Sequence, residues 1–171
     1  LKQNYGRSTG TAKVCPVFYY GIYPSVVQAD FYFVGENMKA LVLLSGGIDS
    51  STCLAVAKED FGDNVIALSL YYGQKHSKEL EAAKNIAKYY NVKLIVMDLA
   101  QIFVGSDCTL LNTSTEAIPT GTYADQLKDK PGEVVSTYVP FRNGLFLSTA
   151  ASIALAHQCD VIFYGPHADD V

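Results

Sequence analysis

From residue 38 onward, apolar runs alternate with amphipathic stretches, and the alternation predicts the elements. Met38 to Leu44 is an apolar run that ends at Ser45-Gly46-Gly47 and passes directly into a helix, read from Ser51 to Asp60 with Leu54, Val56 and Ala57 apolar. Phe61-Gly62-Asp63-Asn64 supplies turn chemistry after it. Val65 to Leu70 predicts a second strand. Ser77 to Tyr90 is the clearest helix, with Leu80, Ala83, Ala87 and Tyr90 on one stripe and Lys78, Glu81, Lys84 and Lys88 outside it. Lys93 to Met97 predicts a third strand, residues 143–157 a helix apolar almost all round and therefore buried, and Val161 to Gly165 a fourth strand.

Strands alternating with helices predict an α/β fold: a doubly wound parallel sheet with helices on both faces. Right-handed crossovers would set the first and fourth strands side by side. The Ser45-Gly46-Gly47-Ile48-Asp49-Ser50 loop, Gly165 and the residues after it would then share one crevice at the carboxyl ends of the strands.

Two stretches fall outside this pattern. Leu99 to Thr137 is long, polar and punctuated by Gly105, Pro119, Gly121, Pro131 and Gly132, which reads as a lid or a disordered loop. Residues 1–37 are rich in Tyr and Phe, broken by Pro16, Gly21 and Pro24, and show no periodicity. Lys2, Arg7 and Lys13 ahead of an apolar stretch permit a signal-peptide reading, but the prolines and tyrosines oppose it. Met38 is the expected natural start, residues 1–37 an extension without catalytic role, and the abrupt finish after the fourth strand suggests a fragment.

Composition narrows the function classes. With 171 residues, 49% hydrophobic and 18% charged, the chain is expected to form one globular domain. A net charge of −4 argues against nonspecific nucleic-acid binding and favours a small-molecule substrate. No apolar stretch approaches the ~20 residues of a membrane span. A soluble, cytoplasmic protein is expected. Cys15, Cys53, Cys108 and Cys159 are too far apart for a C-x-x-C pair or zinc-ligand spacing, so they read as buried thiols in a reducing compartment, and no metal ligands are assigned.

The chemistry starts at the Gly46-Gly47 turn. Two glycines let the backbone approach a ligand closely, and a helix beginning at about Ser50 would offer unpaired N–H groups and a positive dipole end to a polyphosphate. Ser45, Ser50 and Ser51 add hydroxyls. There is no Gly-Lys-Ser/Thr as in a Walker loop and no G-x-G-x-x-G. The bland alternative is a Gly-Gly turn with an Asp-Ser cap. SGGIDS in its strand-turn-helix setting resembles the signature of the ATP pyrophosphatase (PP-loop) superfamily, which implies ATP as ligand, Mg2+ with it, and Asp49 near the metal and phosphates.

Two further blocks lie where they can reach the crevice. Tyr71-Tyr72-Gly73-Gln74-Lys75-His76 follows the second strand, and Lys75 and His76 at a helix start oppose the dipole unless an anion meets them. Ser136 to Ser148, STYVPFRNGLFLS, opens the last helix with Arg142, whose planar fork suits a carboxylate or phosphate, and Asn143, which both donates and accepts. The alternative is an arginine held structurally by an acid such as Asp49.

Together the three blocks resemble the 7-cyano-7-deazaguanine synthases of queuosine biosynthesis, over Met38 to about Asp170. The resemblance implies conversion of 7-carboxy-7-deazaguanine, ammonia and ATP into the nitrile, through an adenylated carboxylate and an amide. It assigns ATP binding to Leu44, Ser45, Gly46, Gly47, Ile48, Asp49, Ser50, Ser51, Thr52, Cys53 and Leu54. It places Tyr72, Gln74, Arg142, Asn143, His167 and Asp169 at the substrate, and gives catalytic roles to Asp49, His76 and Arg142. Tyr71 stands where family members often carry an acid, and Pro166 is a second departure. The family also implies Zn2+ held by four cysteines near its C-terminus, which none of the cysteines here matches; the 171 residues alone are expected to bind ATP without turnover. An exposed sheet edge leaves a homodimer open. The rivals are another PP-loop amidotransferase, a tRNA-thiolating enzyme, or an ATP-binding module without catalysis.

Overall fold

The computed structural model describes residues 13–17, 30–34, 37–75, 78–115, 117 and 135–166. Two short strands come first, β1 (Lys13–Val17) and β2 (Asp30–Val34), paired antiparallel with Lys13 opposite Val34 and Val17 opposite Asp30. The absence of periodicity in 1–37 therefore concealed a strand pair. Prolines and aromatics interrupt the alternation by which a strand is read from sequence.

The main sheet is parallel and has four strands, β3 (Ala40–Leu43), β4 (Val65–Tyr71), β5 (Lys93–Asp98) and β6 (Val161–Phe163), in the order β5-β4-β3-β6. The first and last strands of the series are neighbours, with Ala40 opposite Val161 and Val42 opposite Phe163. Among the described residues three helices connect them: α1 (Ile48–Phe61), α2 (Lys78–Tyr89) and α3 (Arg142–Ala156). A 3-10 turn, Ala100–Phe103, follows β5.

The continuous apolar character of β3 has a direct cause. Side chains alternate across a sheet, and both faces here are covered. Ala40, Val42 and Leu44 pack with Leu54, Ala57 and Phe61 of α1 and with Ala83 and Ala87 of α2. Leu41 and Leu43 join Leu68 and Leu70 on the other face, against Ala150 and Ala154 of α3. Helices thus cover both faces, as the pattern predicts.

The register of β3 against the end of the chain is set by polar contacts as well. Lys39 N donates to Asp160 Oδ2 at 2.8 Å, Asp160 N donates back to Lys39 O at 2.7 Å, and Lys39 Nζ reaches His157 O at 3.2 Å. After Leu43 the strands part. Leu44 N donates to Leu68 O on the β4 side, while β6 ends at Phe163, so Tyr164 and Gly165 leave the ladder at the point where the strand order reverses.

Three expectations need correction. α1 begins at Ile48 rather than near Ser50, because Gly47, extended at φ −78° and ψ 170°, is its N-cap. The carbonyl of Gly47 accepts from Ser51 N at 3.0 Å, the first turn's own bond. α3 is not buried all round: Ala150 and Ala154 face the sheet, whereas Leu155 is 80% exposed and Leu147 also reaches the surface, since the sheet covers only one side. The stretch after Leu99 is built rather than loose as far as residue 115, with Phe103, Cys108 and Leu111 forming a satellite core with Val139. Residues 118–134 of the expected lid lie outside the described residues. Among the described residues no helix is long and apolar enough to cross a membrane.

Candidate active site

The Ser45–Ser51 turn is closed by its own hydroxyls. Ser50 Oγ accepts from Ser45 N at 3.2 Å, lies 3.0 Å from Ser45 Oγ and 3.1 Å from Gly47 O, and Ser51 Oγ donates to Gly47 O at 2.7 Å. Gly47 N in turn donates to Ser45 Oγ at 3.3 Å. Ser50, predicted as a phosphate ligand, is buried, and its hydroxyl ties the loop together.

Gly46 shows why the turn needs glycine. Its φ is +92°, and a Cβ there would lie 2.6 Å from Glu79 O and 2.8 Å from Ala83 N. The loop therefore rests on the first turn of α2, a contact with no signal in the local sequence. Gly165 is also a close neighbour: a Cβ on it would come within 3.3 Å of Asp49 and of Cys53 Sγ, so the end of β6 seats against the start of α1.

A cleft of about 340 Å³ opens over the carboxyl ends of β3, β4 and β6. Of the eleven residues assigned to ATP, Leu44, Ser45, Gly47, Asp49 and Ser50 line it. Gly46, Ile48, Ser51 and Thr52 open instead onto a shallower groove with Ala55 and Tyr90 behind the turn. Leu54 is fully buried in the core and Cys53 packs against it. A helix must bury one face even when its N-terminus serves a ligand, and these two residues lie on that face.

The far wall of the cleft carries Tyr72, Gln74, Arg142 and Asn143, brought together from segments about seventy positions apart in the sequence. Gln74 Oε1 accepts from Tyr72 N at 2.9 Å and so ties the turn after β4 to itself. The Tyr72 ring is held between Phe146 (centroids 5.4 Å) and Phe103 (6.2 Å). Arg142 lies near enough to Tyr72 for its charge to act on the phenol, and it donates from Nε to Asn143 Oδ1 at 3.2 Å. Burial pushes the Tyr72 phenol up, and the nearby Arg142 charge partly offsets this.

His76, His167 and Asp169 lie outside the described residues. Lys75 precedes α2 and donates its amide to Leu110 O at 3.0 Å. Residues missed by sequence reasoning also line the cleft, among them Ser69, Glu79, Leu80, Phe146 and Tyr164. Ser69 had a readable signal as the one serine or threonine in the strand VIALSLY. Glu79 had none, because an acid in a helix's first turn is ordinarily explained by the dipole alone.

Cys53 and Cys159 are pushed above the ordinary thiol value of 9.0 chiefly by burial, so both are protonated at neutral pH. Cys53, Cys108 and Cys159 sit in or against three different clusters, and Cys53 and Cys159 lie on opposite faces of the sheet. They do not fit a shared zinc ion. No group of three or more His, Cys, Asp or Glu among the described residues could hold a metal.

Comparison with known proteins fits this geometry. Residues 39–171 match the family described as queuosine biosynthesis protein QueC. A 7-cyano-7-deazaguanine synthase of Leptospira biflexa is 38% identical, covering 85% of this chain and 60% of its own length. Those of Oceanobacillus iheyensis (41%; 77% and 56%) and Thermoplasma acidophilum (42%; 79% and 53%) are similar. The chain thus spans little more than half the length of these curated relatives. Among solved structures, it resembles an NH3-dependent NAD synthetase of Campylobacter jejuni (TM-score 0.50, 17% identity, 72% of this chain and 45% of that one). It also resembles the U34-tRNA thiolase NcsA of Methanococcus maripaludis (TM-score 0.52, 20% identity, 81% and 41%). At those identities the likeness extends to the fold alone. A QueC profile matched over most of the chain and relatives near 40% identity, joined to a glycine turn and an arginine wall facing one cleft, make this chain a member of the QueC family of queuosine biosynthesis proteins.

Proposed function

We propose that this chain carries the ATP-activating site of a 7-cyano-7-deazaguanine synthase. The observation that supports it most is the meeting of the phosphate-type turn and the Arg142–Tyr72 pair across one cleft. An activated carboxylate needs its phosphate donor and its own anchor on facing walls, and this cleft has that layout.

ATP fits the turn. The α1 N-terminus presents N–H groups and a positive dipole end, and Gly47 sits beside it without a side chain. Ser45, Ser50 and Ser51 preorganise those amides through the bonds that close the loop. Asp49 would hold Mg2+, which neutralises charge on the polyphosphate when bound. Arg142 would fork onto the substrate carboxylate, and the Tyr72 hydroxyl could donate to an acceptor such as a carbonyl oxygen of the deazapurine. Asn143 can both donate to and accept from the heterocycle. His76 as a catalytic group, and His167 and Asp169 as substrate contacts, stay assigned by resemblance.

A carboxylate is a poor electrophile. Its oxygen attacks the α-phosphorus, pyrophosphate leaves, and ammonia displaces AMP from the mixed anhydride to give the amide and a proton. A second ATP activates the amide oxygen, and loss of AMP and a proton leaves the nitrile. The protonated thiols agree with a route that needs no covalent nucleophile. The Zn2+ of the family would need ligands beyond the described cysteines. Cytoplasmic location, homodimerisation and small-molecule partners alone, without nucleic acid or membrane, complete the reading.

The test is exchange of labelled pyrophosphate into ATP by the native protein. Exchange that depends on 7-carboxy-7-deazaguanine is expected. Exchange indifferent to that acid, or its stimulation by tRNA or another acceptor, would move the chain to a different PP-loop activity, and ATP binding without exchange would make it a non-catalytic module.

A further inference from the structure

Tyr72 and Arg142 sit on elements that the main sheet does not by itself join, the turn after β4 and the start of α3. The segment Cys108–Asn112 bridges them. On one side Asn112 N donates to Gly73 O at 2.7 Å, Asn112 Nδ2 to the Tyr71 hydroxyl at 2.9 Å, and Lys75 N to Leu110 O at 3.0 Å. On the other side Thr109 donates to Ser136 O twice, from N at 2.8 Å and from Oγ1 at 3.2 Å. Thr109 and Leu111 are each 1% exposed, and the apolar underside of the segment packs on Val139, Tyr72 and Leu145.

We propose that Cys108–Asn112 is a clasp that sets the acceptor wall of the cleft, with Thr109 and Asn112 as positioning residues for Arg142 and Tyr72. The bonds that close the phosphate turn run within residues 45–51 and do not pass through the clasp. Loosening it should therefore weaken binding of the acceptor acid and leave ATP alone. A purely structural role would impair both together. The inference of which ligand is affected rests on the proposed synthase reading.

The experiment compares Asn112→Ala and Thr109→Val in the native protein, with Thr109→Ser as the hydroxyl-retaining rescue and Tyr71→Phe as a second way to remove the Asn112 side-chain bond. Two quantities are read: KM for 7-carboxy-7-deazaguanine against KM for ATP in pyrophosphate exchange, and amide hydrogen exchange over residues 135–145 against 45–54. The expected result is a rise in the acid KM of roughly fivefold for each bond lost, an ATP KM within about twofold of the parent, faster amide exchange in 135–145 only, and recovery in Thr109→Ser. Equal effects on both KM values, or unchanged amide exchange in 135–145, would overturn the clasp. If the parent protein ignores the acid, the synthase reading fails, while the amide-exchange comparison still decides whether the clasp exists.

Discussion

Replacing Gly46 by alanine probes the contact on which the phosphate turn depends. Two penalties add at this position. The first is conformational: at φ +92° an L side chain is strained, which costs about 1–3 kcal/mol. The second is steric, because the new Cβ would lie 2.6 Å from Glu79 O, 2.8 Å from Ala83 N and 2.9 Å from Ala82 Cβ. Two of those three neighbours are helix backbone, so relief requires α2 to move as a body, and overpacking of this kind costs about 1–3 kcal/mol. Together they reach about 2–6 kcal/mol, a large part of the ~5–15 kcal/mol that stabilises a typical domain. Gly105 supplies a matched control: its φ is +95° and nothing lies within 4 Å of its Cβ position, so Gly105→Ala carries only the conformational penalty. Urea unfolding followed by circular dichroism, with ATP binding measured on the folded fraction, separates the two. Gly46→Ala should lower the midpoint clearly more than Gly105→Ala and weaken ATP binding, which Gly105→Ala should spare. Equal midpoints, with ATP binding intact in both, would refute the idea that the turn is seated on α2.

Two other perturbations bear on the chemistry. Arg142→Lys keeps the charge but loses the planar fork and the Nε bond to Asn143, so the KM for the acid should rise by about tenfold or more while ATP binding holds; an unchanged KM would remove Arg142 from the acceptor wall. Raising the pH should destabilise the fold from about 9 upward. The Cys53 thiol is raised by burial and by the Asp49 charge, so above its ordinary value of 9.0 the unfolded chain ionises while the folded one stays neutral, and the stability present below that pH is lost as pH climbs through the folded value. Tyr72 acts in the same sense above 10.0. Urea midpoints at about pH 8 and 10.5 check this, and Cys53→Ala should show the shallower fall.

Much of the fold was legible because it is encoded locally. β3, α1, β4, α2, β5, α3 and β6 lie within two residues of the elements predicted, except that α1 starts three residues early. Burial on both faces requires a continuous apolar strand, burial on one face requires a helical stripe, and each leaves its period in the sequence. The β1–β2 pair was not legible, and neither was the satellite core of Phe103, Cys108 and Leu111, whose packing partners Val139 and Leu145 lie far along the chain.

The site divides along the same line. Ser45-Gly46-Gly47 followed by a helix specifies a glycine turn at a helix N-terminus by itself, since the two are contiguous in sequence and need nothing distant to exist. Only the tertiary structure decided which of those residues face the cleft, that the Ser50 hydroxyl ties the loop together, that Glu79 and Ser69 join the lining, and that Arg142 comes near Tyr72. Those outcomes depend on how α2 and α3 seat on a sheet whose strand order reverses between β3 and β6. Packing between elements is set by shape and burial summed over the whole domain, and no single segment carries that sum.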